Sequence, residues 1–256
     1  MDKNQILQRL SEQKGHIGFY CENLITGERF GLHENDRFVA ASVIKLPIFM
    51  CISKWVKEGK ADFSEKIKVR NEDKLPITGA LTLFTDEPTV DIRTLCNLII
   101  SLSDNSAANL LIKRFGVSAL NEEFRAIGLK DTRLCNPLYD RSPDAVGLRN
   151  CIVPSEMGML LKMIYERRFV DEQTSKDIEE LLFLQQFNHK IPRLIGDGTV
   201  PIAHKTGEII GVSHDVGLVY AKQPFVVCYT SNDTDVPAFE DVIRKTAYEI
   251  FLAYNQ

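Results

Sequence analysis

Pro201-Ile-Ala-His-Lys205-Thr-Gly-Glu208, Val212-Ser-His-Asp-Val-Gly-Leu-Val-Tyr-Ala221 and Phe225-Val-Val-Cys-Tyr-Thr-Ser231 decide the fold. Each run reads as a strand, rich in β-branched and aromatic residues, and the breaks between them carry turn residues, Gly211 and Lys222-Gln-Pro224. Near the start of the chain, His16–Glu22 and Glu28–Glu34 read as two more strands joined through Asn23-Leu-Ile-Thr-Gly27, a hairpin pattern. Neither group is large enough to be stable alone. The two groups are expected to join in one five-stranded antiparallel sheet.

The text between them is of another kind. From Ser42 to Lys57 it reads as a long apolar helix, and helical patterns continue to about Gly196. One long loop interrupts, Cys135–Pro154, with Pro137, Pro143 and Gly147 and no period; loops of that length inside a compact domain are usually functional or disordered. Residues 2–13 carry Ile6, Leu7 and Leu10 at helical spacing, and Ala238–Ala253 places Phe239, Val242, Ile243 and Ala247 on one side. The expected architecture is α/β with two domains (α+β). Residues 1–40 and 199–256 form the sheet flanked by the terminal helices, residues 41–198 form an inserted all-helical domain, and the active site lies in the cleft between them.

Bulk properties narrow the function. The chain has 256 residues, 44% hydrophobic and 26% charged, with a net charge of −4. That is ordinary for a globular protein with a full core. No basic footprint for nucleic acid appears, and no run of ~18 apolar residues for a membrane span. The start, Met1-Asp-Lys-Asn-Gln-Ile-Leu, lacks the pattern of a signal peptide. The expected address is the cytoplasm, or outside it if a leader has been removed. The six cysteines, at irregular spacing, read as buried reduced thiols; a Cys135–Cys151 bridge stays open. The five histidines have no ligand spacing, so no metal or other cofactor is expected.

Three short motifs carry chemistry. Ser42-Val-Ile-Lys45 opens the apolar helix, and residues three apart share a helix face. Lys45 then reaches the Ser42 hydroxyl, which is a poor nucleophile until a base takes its proton. The same spacing recurs at Ser11-Glu-Gln-Lys14, in a polar setting that reads as surface. Ser103-Asp-Asn105 follows an apolar run; Ser103 suits proton relay, Asn105 a substrate carbonyl, and Asp104 the shape of the turn. Lys205-Thr-Gly207 lies on a strand, where Lys205 supplies positive charge, Thr206 a hydrogen bond for a carboxylate, and Gly207 room for a close backbone approach. Each motif also has an ordinary use: a serine N-cap with a snorkelling lysine, a helix-capping turn, an edge strand with an exposed lysine.

Ser-x-x-Lys, Ser-Asp-Asn and Lys-Thr-Gly, in that order and at these separations, resemble the motif set of class A β-lactamases and penicillin-binding proteins. The strand–helix–strand order resembles that superfamily over nearly the whole chain. The resemblance implies a serine hydrolase in which Ser42 becomes acylated by a β-lactam or a D-Ala-containing peptide. Lys45, Ser103 and Lys205 would move the proton, and the backbone N–H groups of Ser42 and Glu208 would form the oxyanion hole. A D-Ala-D-Ala peptidase and a catalytically quiet β-lactam receptor are the alternatives. The chain also departs from that pattern. Its Cys135–Pro154 loop has no glutamate to activate a deacylating water; its acids are Asp140 and Asp144, with Asp140 the candidate substitute. Glu208 stands where a small residue is usual, on the face of Thr206, and would repel a substrate carboxylate or act as a base. His214 stands about where an arginine binds that carboxylate, unless it bonds to Asp215 instead.

Overall fold

The computed structural model describes residues 1–76, 78–140, 149–196 and 198–256. Its central sheet contains β1 (His16–Asn23), β2 (Arg29–Leu32), β7 (Ile202–Ile209), β8 (Val212–Val219) and β9 (Phe225–Asn232), in the order β2-β1-β9-β8-β7. All neighbours are antiparallel. The β1–β2 turn closes because the Asn23 side chain accepts from the backbone N–H of Ile25 and Thr26, at 2.9 and 3.0 Å.

Alternation along the central strand builds two cores. Phe225, Val227 and Tyr229 of β9 pack with Phe19 of β1 against α1 (Lys3–Ser11) and α9 (Val236–Tyr254). Val226 and Cys228 point the other way, into the larger cluster shared with the inserted helices. A strand covered on both faces reads as one unbroken apolar run, which is why Phe225–Ser231 shows no polar alternation.

The inserted segment contains α2 (Lys45–Lys57), α3 (Ile92–Ser101), α4 (Asn105–Phe115), α5 (Val117–Ala126), α6 (Pro154–Tyr165) and α7 (Glu172–Phe183). A short α8 (Pro192–Ile195) lies beside α9. Aspartates set several helix starts: Asp91, Asp104 and Asp171 accept from the N–H of Thr94, Ala107 and Thr174 at 2.7, 2.9 and 2.7 Å.

Two small strand pairs add to the expected architecture. β4 (Lys66–Lys68) pairs with β5 (Thr89–Asp91), and β3 (Phe38–Val39) pairs with β6 (Cys151–Ile152). Runs of two or three residues are too short to impose a period on the sequence. The second pair matters most, because it ties the end of the long loop to the chain entering Ser42; the Ala40 N–H also donates to the Asn150 carbonyl at 2.7 Å. Cys135 and Cys151 are free thiols, each donating to a backbone carbonyl.

Candidate active site

Ser42 lies not on α2 itself but in a 3-10 turn, Ala41–Ile44, that feeds into it. Ala41 is held at φ +42°, a left-handed conformation that is uncommon without glycine. From Lys45 to Ser53 every residue of α2 is buried. The apolar surroundings therefore place Lys45, fully inside the protein, against the hydroxyl one turn back. Its Nζ donates to Ser42 Oγ at 2.9 Å, to the Ser103 carbonyl at 2.7 Å and to Asn105 Oδ1 at 2.7 Å.

Ser103 sits between α3 and α4 at φ +53°, with its hydroxyl 3.2 Å from Lys45 Nζ and 3.1 Å from Lys205 Nζ. Asp104 keeps that turn in shape: fully buried, it accepts from the N–H groups of Ala107 and Leu81, both at 2.9 Å. Asn105 is clamped from both ends, its Nδ2 donating to Thr78 Oγ1 at 2.6 Å. Lys205 comes from β7 and also donates to the Thr206 carbonyl at 2.7 Å. A continuous path of hydrogen-bonding atoms thus runs Ser42 Oγ, Lys45 Nζ, Ser103 Oγ, Lys205 Nζ.

Burial decides the charge of the two amines. Desolvation drives the Lys45 pKa well below the usual lysine range, helped by the charge of Lys205 and opposed by Asp104. Desolvation likewise brings Lys205 down to about 7, with Lys190 adding to the effect and Asp215 and Glu208 opposing it. Lys45 is therefore suited to accept a proton. When neutral it can take a proton from the Ser42 hydroxyl, which is already in hydrogen-bond reach.

These groups open into a cleft of about 900 Å³. One wall is β7, with Thr206, Gly207 and Glu208. Gly207 admits a close approach, but the backbone it admits is the protein's own. A Cβ there would lie 3.1 Å from the amide nitrogens of Ser42 and Val43. Another part of the lining is the start of the long loop, Asn136 to Asp140. Two asparagines pin it. Asn150 Oδ1 accepts from the Cys135 and Asn136 N–H groups at 2.6 and 3.0 Å. Asn109 bonds both ways to the Leu138 backbone, at 2.7 and 2.8 Å. Asp140 also lines the cleft, whereas Pro143, Asp144 and Gly147 lie outside the described residues.

Two expectations need correction. His214 does not face substrate. It is fully buried; its Nε2 bonds to the Val39 carbonyl at 2.6 Å and its Nδ1 accepts from the Ser231 N–H at 3.1 Å. Desolvation pushes it down to about 4, so it is neutral and offers nothing to a carboxylate. Nor does it bond to Asp215, which instead accepts from the Ile191 N–H and pairs with His204 at 2.9 Å. Glu208 does line the cleft, but its Oε1 is 3.1 Å from His189 Nε2 and 2.8 Å from Lys190 Nζ. The His189 hydrogen bond, with Lys190 behind it, lowers Glu208 to about 2. A carboxylate that acidic is a poor base.

The sequence reading missed Thr78, Asn136 and Lys190. Lys190 is fully buried and also donates to the His214 carbonyl at 2.9 Å. No local signal marks it, because its partners come from β7 and β8. Asn136, before a proline, reads as an ordinary turn residue.

The sequence model of the β-lactamase enzyme family matches residues 3–254. The chain is 34% identical over 120 residues to the β-lactamase BRO-1 of Moraxella catarrhalis, covering 45% of this chain and 38% of that one. It is 28% identical over 182 residues to the extended-spectrum β-lactamase PER-1 of Pseudomonas aeruginosa, covering 67% and 58%. The aligned parts thus span only 38% and 58% of those relatives' own lengths. Among solved structures, a β-lactamase from Sphaerobacter thermophilus DSM 20745 superposes with a TM-score of 0.90 at 26% identity, covering 99% of this chain and 98% of that one. PBP-A superposes with a TM-score of 0.88 at 29% identity, covering 98% and 94%. A full-length family match, joined to a buried Ser-x-x-Lys pair meeting Ser103 and Lys205, makes this chain a member of the β-lactamase enzyme family.

Proposed function

We propose that the chain is a serine hydrolase of the β-lactamase type, acylated at Ser42 by β-lactams and slow to release the acyl group. The observation that carries this reading is the unbroken contact from Ser42 Oγ through Lys45 and Ser103 to Lys205, with links of 2.9, 3.2 and 3.1 Å. In the acylation step neutral Lys45 takes the Ser42 proton as Oγ bonds to the carbonyl carbon. The proton returns through the Ser103 hydroxyl to the leaving nitrogen as the C–N bond breaks, and Ser42 is left as an ester. A point mutant of PBP-A, 28% identical to this chain, is described as an acyl-enzyme complex with penicillin-G, which supports chemistry of this kind.

Release of the ester needs an activated water. The long loop has no glutamate, and among the described residues Asp140 is the carboxylate that lines the cleft from that side. We assign it the role of base for that water. The lack of a glutamate in the loop favours slow release, and keeps a D-Ala-D-Ala peptidase or a ligand-trapping receptor as the second reading.

The test mixes the protein with a chromogenic cephalosporin and follows colour and intact mass together. Steady turnover supports the hydrolase. One equivalent of colour with a lasting adduct on Ser42 supports the peptidase or receptor. With neither colour nor adduct, β-lactams are not substrates. Asp140→Asn should lengthen the adduct's lifetime by about 10²-fold, as for loss of a general base; an unchanged lifetime removes Asp140 from the mechanism.

A further inference from the structure

We propose that the strand end of this cleft selects substrates whose group beside Glu208 is uncharged and apolar, and discriminates against a carboxylate there. This rests on acylation at Ser42 and names the substrate class of that same site.

Charge supplies the first argument. Among the described residues, the two cations in contact with Glu208 already have anionic partners. Lys190, with no exposed side-chain surface, is 2.8 Å from Glu208 Oε1. His189 Nε2 is 3.1 Å from Glu208 and 3.7 Å from Glu240. Arg244 lies 3.9 Å from Glu240 and 3.7 Å from Asp241. The hydrogen bonds of His189 to the two glutamates raise it to about 9, so it is cationic near neutrality, and His189 and Lys190 are matched by Glu208 and Glu240. Lys205 is committed to Ser103 and to the Thr206 carbonyl. Arg149 also lines the cleft, from the end of the long loop.

A substrate carboxylate arriving beside Glu208 has two options, both unfavourable. It can sit next to a like charge, or it can displace Glu208 from Lys190 and leave a carboxylate without its charge-assisted bond.

Shape and polarity supply the second argument. Directly after Glu208, β7 ends at Ile209 and the hairpin turns through Ile210 and Gly211, and both isoleucines line the cleft. Ile209 is 40% exposed and Ile210 is 102% exposed, at a turn where polar residues are the usual choice. Val212 and Val236 line the same end. An apolar substituent that extends toward this end from the substrate carbonyl attacked by Ser42 finds surface to cover, where a carboxylate finds an anion.

The test uses one cephalosporin in two forms, the free acid and its methyl ester. Acylation of Ser42 is followed by intact mass, and each rate is normalised to that compound's hydrolysis by hydroxide. The ester should acylate at least about tenfold faster, the scale of an uncompensated like charge. In Glu208→Gln, which removes the charge and keeps the shape, the ester-over-acid ratio should fall to about threefold or less. Ile210→Ser, at a fully exposed position that cannot disturb the fold, should slow the ester more than the acid. Equal rates in the unmodified protein, a preference for the acid, or a ratio unmoved by Glu208→Gln would overturn the selectivity while leaving Ser42 acylation intact. If neither form, nor a small p-nitrophenyl ester, labels Ser42, acylation and selectivity fall together.

Discussion

Ser11-Glu-Gln-Lys14 and Ser42-Val-Ile-Lys45 share one pattern and have opposite fates. At the first, α1 is ending. Ser11 turns its hydroxyl back to the Gln8 carbonyl at 2.8 Å, and both Ser11 and Lys14 stay in water. At the second, Lys45 is wholly buried and its amine touches Ser42, Ser103 and Asn105. Spacing is the same in both. What differs is whether neighbouring residues remove the lysine from water, because desolvation and not sequence separation turns an ammonium into a base.

The sharpest way to break the comparison is to remove its chemistry. Ser42→Ala should abolish the acyl adduct, and Lys45→Ala should slow acylation by on the order of 10³-fold, the range of a lost general base. Intact mass after timed exposure to a β-lactam reads both. Comparable rates in Lys45→Ala would reduce the buried pair to the level of its exposed copy.

Next in size is the packing that holds the second copy in place. Gly207→Ala puts a methyl 3.0 Å from Val43 Cγ2 and 3.1 Å from the Ser42 nitrogen. Overpacking of this kind costs about 1–3 kcal/mol. A lower melting temperature and an acylation rate reduced by about tenfold are expected together. A loss of stability without a loss of rate would show that the turn tolerates displacement.

A smaller effect is expected in the pH dependence of stability. His189, raised to about 9 by its carboxylate partners, stabilises fully below its unfolded pKa near 6.5 and loses that contribution as pH rises through about 9. Glu208, lowered to about 2, contributes above its unfolded value near 4.3 and loses that contribution as pH falls through about 2. Urea unfolding between pH 6 and 10 should show the stability difference between the protein and Glu208→Gln decline with rising pH, beneath the opposite trend that the lowered Lys45 and Lys205 impose on both proteins. The decline is modest, because both side chains are partly exposed and solvent screens the pair.

The smallest effect belongs to the first copy. Ser11→Ala should change unfolding free energy by no more than about 0.5 kcal/mol, as surface changes do, and leave acylation unaltered. A loss of activity there would mean that the shared pattern, and not its burial, carries function.

Much of this site could be read before folding. The five strands, the helical insert and the residues Ser42, Lys45, Ser103, Asn105 and Lys205 all follow from local pattern or from motif order, because each depends on neighbours close in sequence. His214 shows the limit. As a histidine on a strand beside a motif it invites a substrate role, yet only the packed sheet reveals that both ring nitrogens are occupied within the protein. Gly207 shows it differently, since a glycine signals a close approach without saying what approaches.

Sequence alone therefore determined the order of the main elements and the kinds of side chain offered to the cleft, since periodicity and motif chemistry are local properties. Tertiary structure decided which amine lost its hydration, which carboxylate was claimed by Lys190 and His189, and which loop residues lined the cleft. Those outcomes depend on desolvation and on charges contributed from distant strands and helices, and nothing in the linear text records such distances.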